Sequence, residues 1–159
     1  MELWWWKVIS LEKFKLEILN LQDEIDSNFF YKMHNEEQFK KYFDKVIYNN
    51  INNNIFMKNY LVNYSNEKID YIYISDKIEK DDIRAVTLYY YIDSDYRNNG
   101  MATNLIKELL DYLKNQEKIN YIILNIHKKN IPSIKVAIQN EFIKNMEDEE
   151  EIQFVHKTL

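Results

Sequence analysis

Cysteine is absent from the 159 residues of this chain, which excludes disulfide bonds, zinc–thiolate sites and a thiol nucleophile. Long apolar runs are also absent, since no stretch approaches the roughly 18 to 20 apolar residues that a membrane-spanning helix needs. The net charge of −5 leaves no excess of basic residues for non-specific binding to nucleic acid. We therefore expect a protein that binds neither membranes nor nucleic acid.

The rest of the composition is that of a globular protein, with 46% hydrophobic and 15% aromatic residues. The length suits one domain with its own core, and no linker or repeat divides the chain, so we predict a single domain over residues 1–159. The first ten residues, MELWWWKVIS, are acidic at Glu2 and lack the small-residue cleavage site of a signal peptide. The expected location is cytoplasmic.

A run of three tryptophans, Trp4 to Trp6, lies in a segment that predicts a strand over Leu3–Ile9. Two interpretations are open for these side chains. They pack over the edge of the core, or they form a protein–protein contact, where tryptophan is enriched. A homodimer is therefore left open.

The chain is organised around a strand, a tight turn and a long helix. The segment Ala85–Ile92 is an unbroken apolar run, which is typical of a strand buried on both faces. The segment Asp93–Asp95 interrupts this run with turn-forming side chains. From Met101 onward apolar residues recur at helical spacing, with charged residues on the opposite face. This order predicts a helix whose N-terminus opens onto the turn.

Gly100, the only glycine of the chain, lies in that turn. A residue without Cβ permits an unusual φ and lets another molecule approach the backbone closely. The first amides of the following helix have no partner within the helix, and its dipole favours negative charge there. Arg97 and Gly100 at the mouth of this turn therefore form a candidate phosphate cradle. The simpler interpretation is an ordinary connection with a turn glycine.

The flanking segments supply further strands and helices. A mostly helical region is predicted over Asp23–Asn54, and Asp76–Asp82 is predicted as a polar loop. A hairpin connection is predicted at Ser65–Lys68. The predicted strands are Phe14–Leu19, Tyr60–Tyr64, Ile69–Ile74 and Tyr121–Ile126, and a closing hairpin is predicted from Phe142–Met146 and Ile152–Thr158.

The connection between the two apolar strands sets the topology. A strand, a helix and a second strand, Tyr121–Ile126, predict parallel pairing with a right-handed crossover. Pro132 opens the next helix, where its missing N–H has no cost. The fold class is thus α/β (α+β), a mixed and mainly antiparallel sheet with helices on both faces.

Two segments resemble the GNAT N-acetyltransferase superfamily. Tyr90–Ile106 is similar to its acyl-CoA-binding motif, a hydrophobic strand, a turn, then Arg/Gln-x-x-Gly-x-Gly/Ala and an amphipathic helix. Ser94 stands where proline is usual, and Ala102 fills the second small position. Asn130–Phe142 resembles a second block, Asn-x-x-Ser/Ala…Gly-Phe, with Glu141 in place of its glycine. The resemblance covers Leu61–Leu159 well.

This resemblance implies a GNAT-like splayed sheet that binds acetyl-CoA as acyl donor, with no metal. Pantetheine would lie along the central strand, and the pyrophosphate would sit on the amides after it. Two interpretations are open for Lys128, Lys129 and Lys135. They interact electrostatically with the 3′-phosphate, or they are ordinary surface charges. The candidate cofactor-binding residues are Tyr90, Ile92, Arg97, Asn98, Asn99, Gly100, Met101, Ala102, Thr103, Asn130 and Ser133.

The catalytic groups of the family are not evident at their usual places. Thr87 occupies the position where some members have a glutamate base, and Ala137 the position where many have a tyrosine acid. The remaining candidates are His127, Tyr89 and Tyr91. The simpler interpretation of His127 is a structural histidine. For Asp93 and Asp95 two roles are open, that of a turn residue and that of a catalytic base.

The function that the resemblance implies is transfer of acetyl from acetyl-CoA to a primary amine of a small molecule or a peptide. The alternative is a non-catalytic acyl-CoA-binding module of the same fold. A nucleotide-binding protein of another fold would need a Gly-x-Gly-x-x-Gly or a Lys-Ser/Thr pair after the glycine, and the chain has neither.

Since glutamate is strained in the left-handed region, we predict that Asn140, not Glu141, carries the positive φ after the last helix.

Overall fold

A nine-stranded mixed sheet forms the framework of the computed structural model, which describes residues 8–37, 39–40, 57–75, 78–93, 96–97 and 99–158. The strands are β1 Val8–Ser10, β2 Phe14–Ile18, β3 Met57–Tyr64, β4 Glu67–Ser75, β5 Ile78–Lys80, β6 Ile83–Ile92, β7 Tyr121–His127, β8 Ile143–Glu147 and β9 Glu151–Lys157. Helices within the described ranges include α1 Glu24–His34, α2 Met101–Asn115 and α3 Ile131–Gln139.

The strand order is β1-β2-β3-β4-β6-β7-β9-β8, and β5 pairs with β6 beside this path. The pair β6–β7 is parallel, and every other recorded pair among the described strands is antiparallel. The parallel pair is joined through α2, as a strand–helix–strand connection requires. The predicted mixed, mainly antiparallel sheet is confirmed.

Helices cover both faces of the sheet because successive strand residues point to opposite sides. On one face, Ile72 of β4 packs in one core with Leu109 of α2 and Ala137 of α3. On the other face, Tyr71 of β4 packs in a second core with Phe30 of α1. The prediction of helices on both faces is confirmed.

Two predicted segments differ from the structure. The segment Asp76–Asp82 was expected to be a loop, but it contains β5, which pairs with β6 as a hairpin. Asp81 and Asp82 turn this hairpin with φ of 52° and 63°, which short polar side chains tolerate better than most. The helix predicted over Asp23–Asn54 ends first at His34, and residues 41–56 lie outside the described residues. Trp4 to Trp6 also lie outside them.

The parallel pair opens into a wedge. Pairing of β6 with β7 runs only from Ala85 with Tyr121 to Leu88 with Leu124. Beyond that point β6 remains paired with β4 as far as Ile92, and β7 remains paired with β9. The facing edges of the two described strands are therefore free of each other past Leu88, which leaves room for an extended molecule between them.

Candidate active site

A cleft of about 340 Å³ opens where the wedge meets the first turns of α2 and α3. The last residues of β6, the turn that follows it and the two helix starts supply its walls. The cleft brings together every candidate cofactor-binding residue that lies in the described part of the chain. Asn98 lies outside the described residues. The lining residues are Tyr90, Tyr91, Ile92, Tyr96, Arg97, Asn99, Gly100, Met101, Ala102, Thr103, Asn130, Pro132, Ser133, Lys135, Val136 and Gln139.

Gly100 is the N-cap of α2 and has φ 79° and ψ 4°. No heavy atom lies within 4 Å of where its Cβ would stand, so the backbone conformation, rather than lack of space, favours glycine here. The first backbone bond of the helix runs from the amide of Asn104 to the carbonyl of Gly100. The amide of Met101 donates to Asn99 Oδ1 at 3.2 Å. The N–H groups of the next two residues stay available to an anion.

The side chain of Arg97 turns toward α1 and the end of β6. Its guanidinium meets the Glu36 carboxylate at 2.9 Å, donates from Nε to the carbonyl of Ile92 at 3.0 Å, and lies 4.8 Å from the centre of the Tyr91 ring. The Tyr91 hydroxyl also donates to Glu36. Arg97 therefore holds the turn in place, and its guanidinium is already occupied by the protein's own groups.

A second ion pair holds the same turn from α1. Asp93 is 1% exposed, and its carboxylate lies 3.0 Å from Lys32 Nζ. Its backbone donates to the carbonyl of Ile69 and accepts from the amide of Tyr96. These contacts give Asp93 the role of a turn residue. Lys32 near the end of α1 and Glu36 just after this helix thus hold the two ends of the turn that borders the cleft.

The second wall of the cleft is built by α3, whose N-cap is Asn130. The Asn130 side chain accepts from the amide of Ser133 at 3.5 Å. Lys135 lines the cleft, whereas Lys128 pairs with Glu147 at 3.4 Å as a surface ion pair. Ala137 is fully buried in the core, so this position offers no group to a bound molecule.

The end of α3 contradicts the prediction for Asn140 and Glu141. Asn140 has φ −97°, whereas Glu141 has φ 64°. The reason is a Schellman motif, in which Glu141 N–H bonds to Ile138 O at 3.1 Å and Phe142 N–H to Ala137 O at 2.9 Å. Asn140 cannot reverse the chain because its side chain is held from two sides. Its Nδ2 donates to the carbonyls of Thr103 and Val136 at 3.2 and 3.1 Å.

On the opposite side of the wedge from the cleft, polar side chains of β6, β7 and β9 form hydrogen bonds with one another. Asn125 Nδ2 donates to the Tyr89 hydroxyl at 3.3 Å, and Gln153 Nε2 donates to Asn125 Oδ1 at 3.3 Å. His127 pairs with Glu151 across β7 and β9, and its Nδ1 accepts from the amide of Lys129 at 3.1 Å. The structure thus places Tyr89 and His127 on this face, while Tyr91 lines the cleft.

Burial shifts the titration of several of these groups. It raises the pKa of Tyr89, with Asn125 opposing the change, and raises the pKa of Tyr91, with Glu36 adding to the effect. Burial and the nearby Asp148 raise the pKa of Glu151. Both tyrosines therefore keep their protons at neutral pH.

Asn125, Gln153 and Glu151 were not singled out from the sequence. Alternation along β7 places Asn125 and His127 on one face, because Ile122, Leu124 and Ile126 are buried on the other. That signal was present in the sequence. Their proximity to Gln153 and Glu151, however, depends on the pairing of β7 with β9.

The described ranges contain neither a group of metal ligands nor a membrane-spanning helix. Among the described residues, no group of three His, Asp or Glu side chains converges as a metal site would. In the same ranges, no helix combines the length and apolarity needed to cross a membrane.

Comparison with known proteins places this fold and cleft in a family. A family model described as the GNAT acetyltransferase domain matches residues 11–143. Because the match spans most of the chain, the chain belongs to the GNAT acetyltransferase family, and it is an acyltransferase. No curated protein sequence matches it significantly.

Solved structures share the fold over nearly the whole chain. A GNAT-family acetyltransferase from Bacillus anthracis has a TM-score of 0.74 at 16% identity, covering 94% of this chain and 98% of that one. Ribosomal-protein-S5-alanine acetyltransferase from Vibrio fischeri has a TM-score of 0.71 at 14% identity, covering 94% and 96%. Spermidine N-acetyltransferase from Vibrio cholerae, solved with CoA and spermine, has a TM-score of 0.69 at 16% identity, covering 91% and 95%. At these identities the similarity shows the fold.

Proposed function

We propose that this protein transfers acetyl from acetyl-CoA to a primary amine. The observation that carries the proposal is the wedge between β6 and β7, which opens onto the amides at the start of α2. A ligand that fits both features has an extended arm with amide groups and an anionic group at one end. Acyl-CoA has this form, and one structural neighbour was solved with CoA.

In this proposal the pantetheine arm lies along the free edge of β6 beside Tyr90 and Ile92, where backbone groups have no partner on β7. The pyrophosphate lies over the amides between Gly100 and Thr103, where the helix dipole favours negative charge. Asn130 and Ser133 contact it from the other wall. Lys135 adds a positive charge to a site that receives several phosphates.

The reaction requires a neutral amine, a thioester carbonyl held near it, and a proton for the departing thiolate. The amine nitrogen attacks the carbonyl carbon directly, and no covalent intermediate forms with the protein. Thr87 cannot accept a proton as a glutamate would. Positioning of the two substrates therefore supplies most of the rate enhancement.

The acceptor is a small-molecule amine or a peptide. The names of two structural neighbours describe acetylation of a ribosomal protein and of spermidine, so the fold accommodates both kinds of acceptor. We further propose that residues 1–159 act as one domain, since strands from β1 to β9 join one sheet, and that this domain acts in the cytoplasm. A homodimer would be detected by sedimentation.

The second candidate is an acyl-CoA-binding module without activity. The observation in its favour is that Thr87 and Ala137 occupy positions where relatives carry a base and an acid, and Ala137 is fully buried. Binding with no turnover would support it.

One set of measurements tests both candidates. Acetyl-CoA at about 100 times its dissociation constant should stabilise the fold by roughly 2.7 kcal/mol, and raise the melting temperature by about 5–10 °C. ATP and NAD serve as controls, and equal, negligible shifts with all three would remove the cofactor assignment. Release of CoA in the presence of spermine or an alanine-initiated peptide then separates an enzyme from a binding module.

A further inference from the structure

Tyr89 lies at the point where the wedge closes. Leu88 and Leu124 are the last paired residues of β6 and β7, and Tyr89 and Asn125 directly follow them. Asn125 Nδ2 donates to the Tyr89 hydroxyl at 3.3 Å, so these side chains bridge strands whose backbones have begun to separate. The Tyr89 ring also packs edge-on against the ring of Tyr73, with centroids 6.5 Å apart, which limits its motion.

A relay of three amide side chains determines which hydrogen bond Tyr89 makes. Asn145 Nδ2 donates to Gln153 Oε1 at 2.8 Å, and Gln153 Nε2 donates to Asn125 Oδ1 at 3.3 Å. The bond from Gln153 holds the Asn125 oxygen on the side of β9, so the Asn125 amide group presents its N–H to Tyr89. The Tyr89 oxygen therefore accepts a bond and keeps its own proton to donate. The described residues supply no acceptor for that proton.

The thioester of a bound acetyl-CoA reaches this point. From the end of β6 at Ile92, an arm that follows the strand to Tyr89 advances about 10 Å, at roughly 3.3 Å per residue. It cannot advance further, because β6 and β7 pair from Leu88 backward. In the proposed binding mode the thioester therefore reaches the level of Tyr89 on β6. This step rests on the proposed function.

We propose that Tyr89 donates the proton to the departing CoA thiolate, and that Asn125, Gln153 and Asn145 form a relay that positions it. The amine nitrogen attacks the carbonyl carbon, whose π electrons move to oxygen. When the intermediate collapses, the C–S bond breaks, its electron pair goes to sulfur, and the Tyr89 proton forms the S–H bond. The phenolate, stabilised by the Asn125 N–H, recovers a proton that the amine nitrogen loses through water. The products are the amide and CoA.

The surroundings of Tyr89 support this role. Burial raises its pKa, so the proton is present throughout the neutral range. Tyr91 is a poorer candidate because its hydroxyl already donates to Glu36. His127 accepts through Nδ1 from the backbone of Lys129, which fixes its ring at the far end of β7.

The first test is Tyr89→Phe, which removes only the hydroxyl. With acetyl-CoA and either spermine or an alanine-initiated peptide, we expect kcat to fall roughly 100-fold, the lower end of general acid catalysis, with KM for acetyl-CoA within about twofold. Tyr112→Phe is the matched control, because the Tyr112 hydroxyl bonds to Glu117 at the far end of α2. An unchanged kcat for Tyr89→Phe would overturn the proposal.

A second readout needs no acceptor amine. A Tyr89 hydroxyl that donates to sulfur should make the protein bind CoA about tenfold more tightly than desulfo-CoA at a pH above the thiol pKa near 8.5. Calorimetry should show that Tyr89→Phe abolishes this difference while desulfo-CoA binds normally. An equal ratio in both proteins would overturn the proposal, whereas failure of wild-type protein to bind CoA at all would instead refute the proposed function.

The relay itself is tested by Gln153→Glu. A carboxylate only accepts, so Asn125 would turn its N–H toward residue 153 and its oxygen toward Tyr89, which would then donate its proton to Asn125. We expect kcat to fall about tenfold or more without change in KM for acetyl-CoA. Gln116→Glu, the same change at the exposed C-cap of α2, is the control. Equal kcat values for the two variants would show that the relay has only a structural role.

Discussion

Gly100→Val tests whether the first turn of α2 is a phosphate site or an ordinary turn. Gly100 has φ 79°, and a Cβ built there meets no heavy atom within 4 Å. The substitution therefore causes backbone strain but no clash. For an L-residue the left-handed conformation costs roughly 1–2 kcal/mol, and a β-branched side chain lies at the upper end of this range.

This cost is small beside the roughly 5–15 kcal/mol by which a domain is stable, so the variant should fold. For a chain of this size each kcal/mol lowers the melting temperature by about 2–4 °C, which predicts a loss of roughly 2–8 °C. Binding should suffer more. A branched side chain beside the free amides blocks the close approach of the pyrophosphate, so we expect CoA affinity to fall at least about tenfold.

Gly100→Asn separates strain from access, because asparagine tolerates the left-handed region but still places a side chain at the cleft. We expect its melting temperature to be close to that of wild type and its CoA affinity to be reduced, as measured by calorimetry at one temperature. Wild-type affinity in the valine variant would show that Gly100 is only a turn residue. Full affinity in the asparagine variant alone would show that strain, not access, caused the loss.

Three other expectations follow from particular residues. Glu141→Gly should raise the melting temperature by about 2–4 °C by relieving left-handed strain of roughly 1 kcal/mol, and no rise would show that the Schellman turn holds glutamate without strain. Burial raises the pKa of Asp70, so the folded protein keeps a proton that the unfolded chain releases above about pH 4. The stability of the wild type should therefore fall as the pH rises from about 4 through the pKa of Asp70 in the folded state. If the melting temperature of Asp70→Asn falls with pH in the same way, Asp70 is not the source of this pH dependence. The rate of acetyl transfer should rise with pH as the amine deprotonates, with no decline below about pH 9.5, because burial raises the pKa of Tyr89 and Tyr91 above the ordinary value near 10. His127→Ala should change the rate less than about tenfold, and a larger loss would indicate that His127 relays a proton.

The sequence by itself indicated most of the described strands and helices, because apolar spacing of two or 3.6 residues is a local pattern. The single glycine after a strand pointed to the turn at the cleft, and the resemblance to the GNAT superfamily pointed to the remaining cofactor residues. The candidate cofactor residues lie in two short segments, 90–103 and 130–133, and those in the described residues line one cleft. A strand–turn–helix is a local unit, so nearby residues were sufficient to predict it.

Details of the turns depended on contacts that local patterns do not contain. Asn140 was expected at positive φ, but its side chain reaches the carbonyl of Thr103 in another helix, 37 residues away. The reversal then falls on Glu141 despite its strain. In the same way, β5 forms because Asp81 and Asp82 accept left-handed conformations that allow it to pair with β6.

Which side chains meet the candidate catalytic groups was decided by tertiary structure alone. Tyr89, Asn125 and Gln153 come from three strands that the sheet order makes neighbours, and no spacing in the sequence relates them. Likewise, Glu36 and Arg97 meet because α1 packs across the sheet. Hydrogen bonds and ion pairs act over about 3 Å, so which side chains form them is known only once strand order and helix packing have brought distant parts of the chain together.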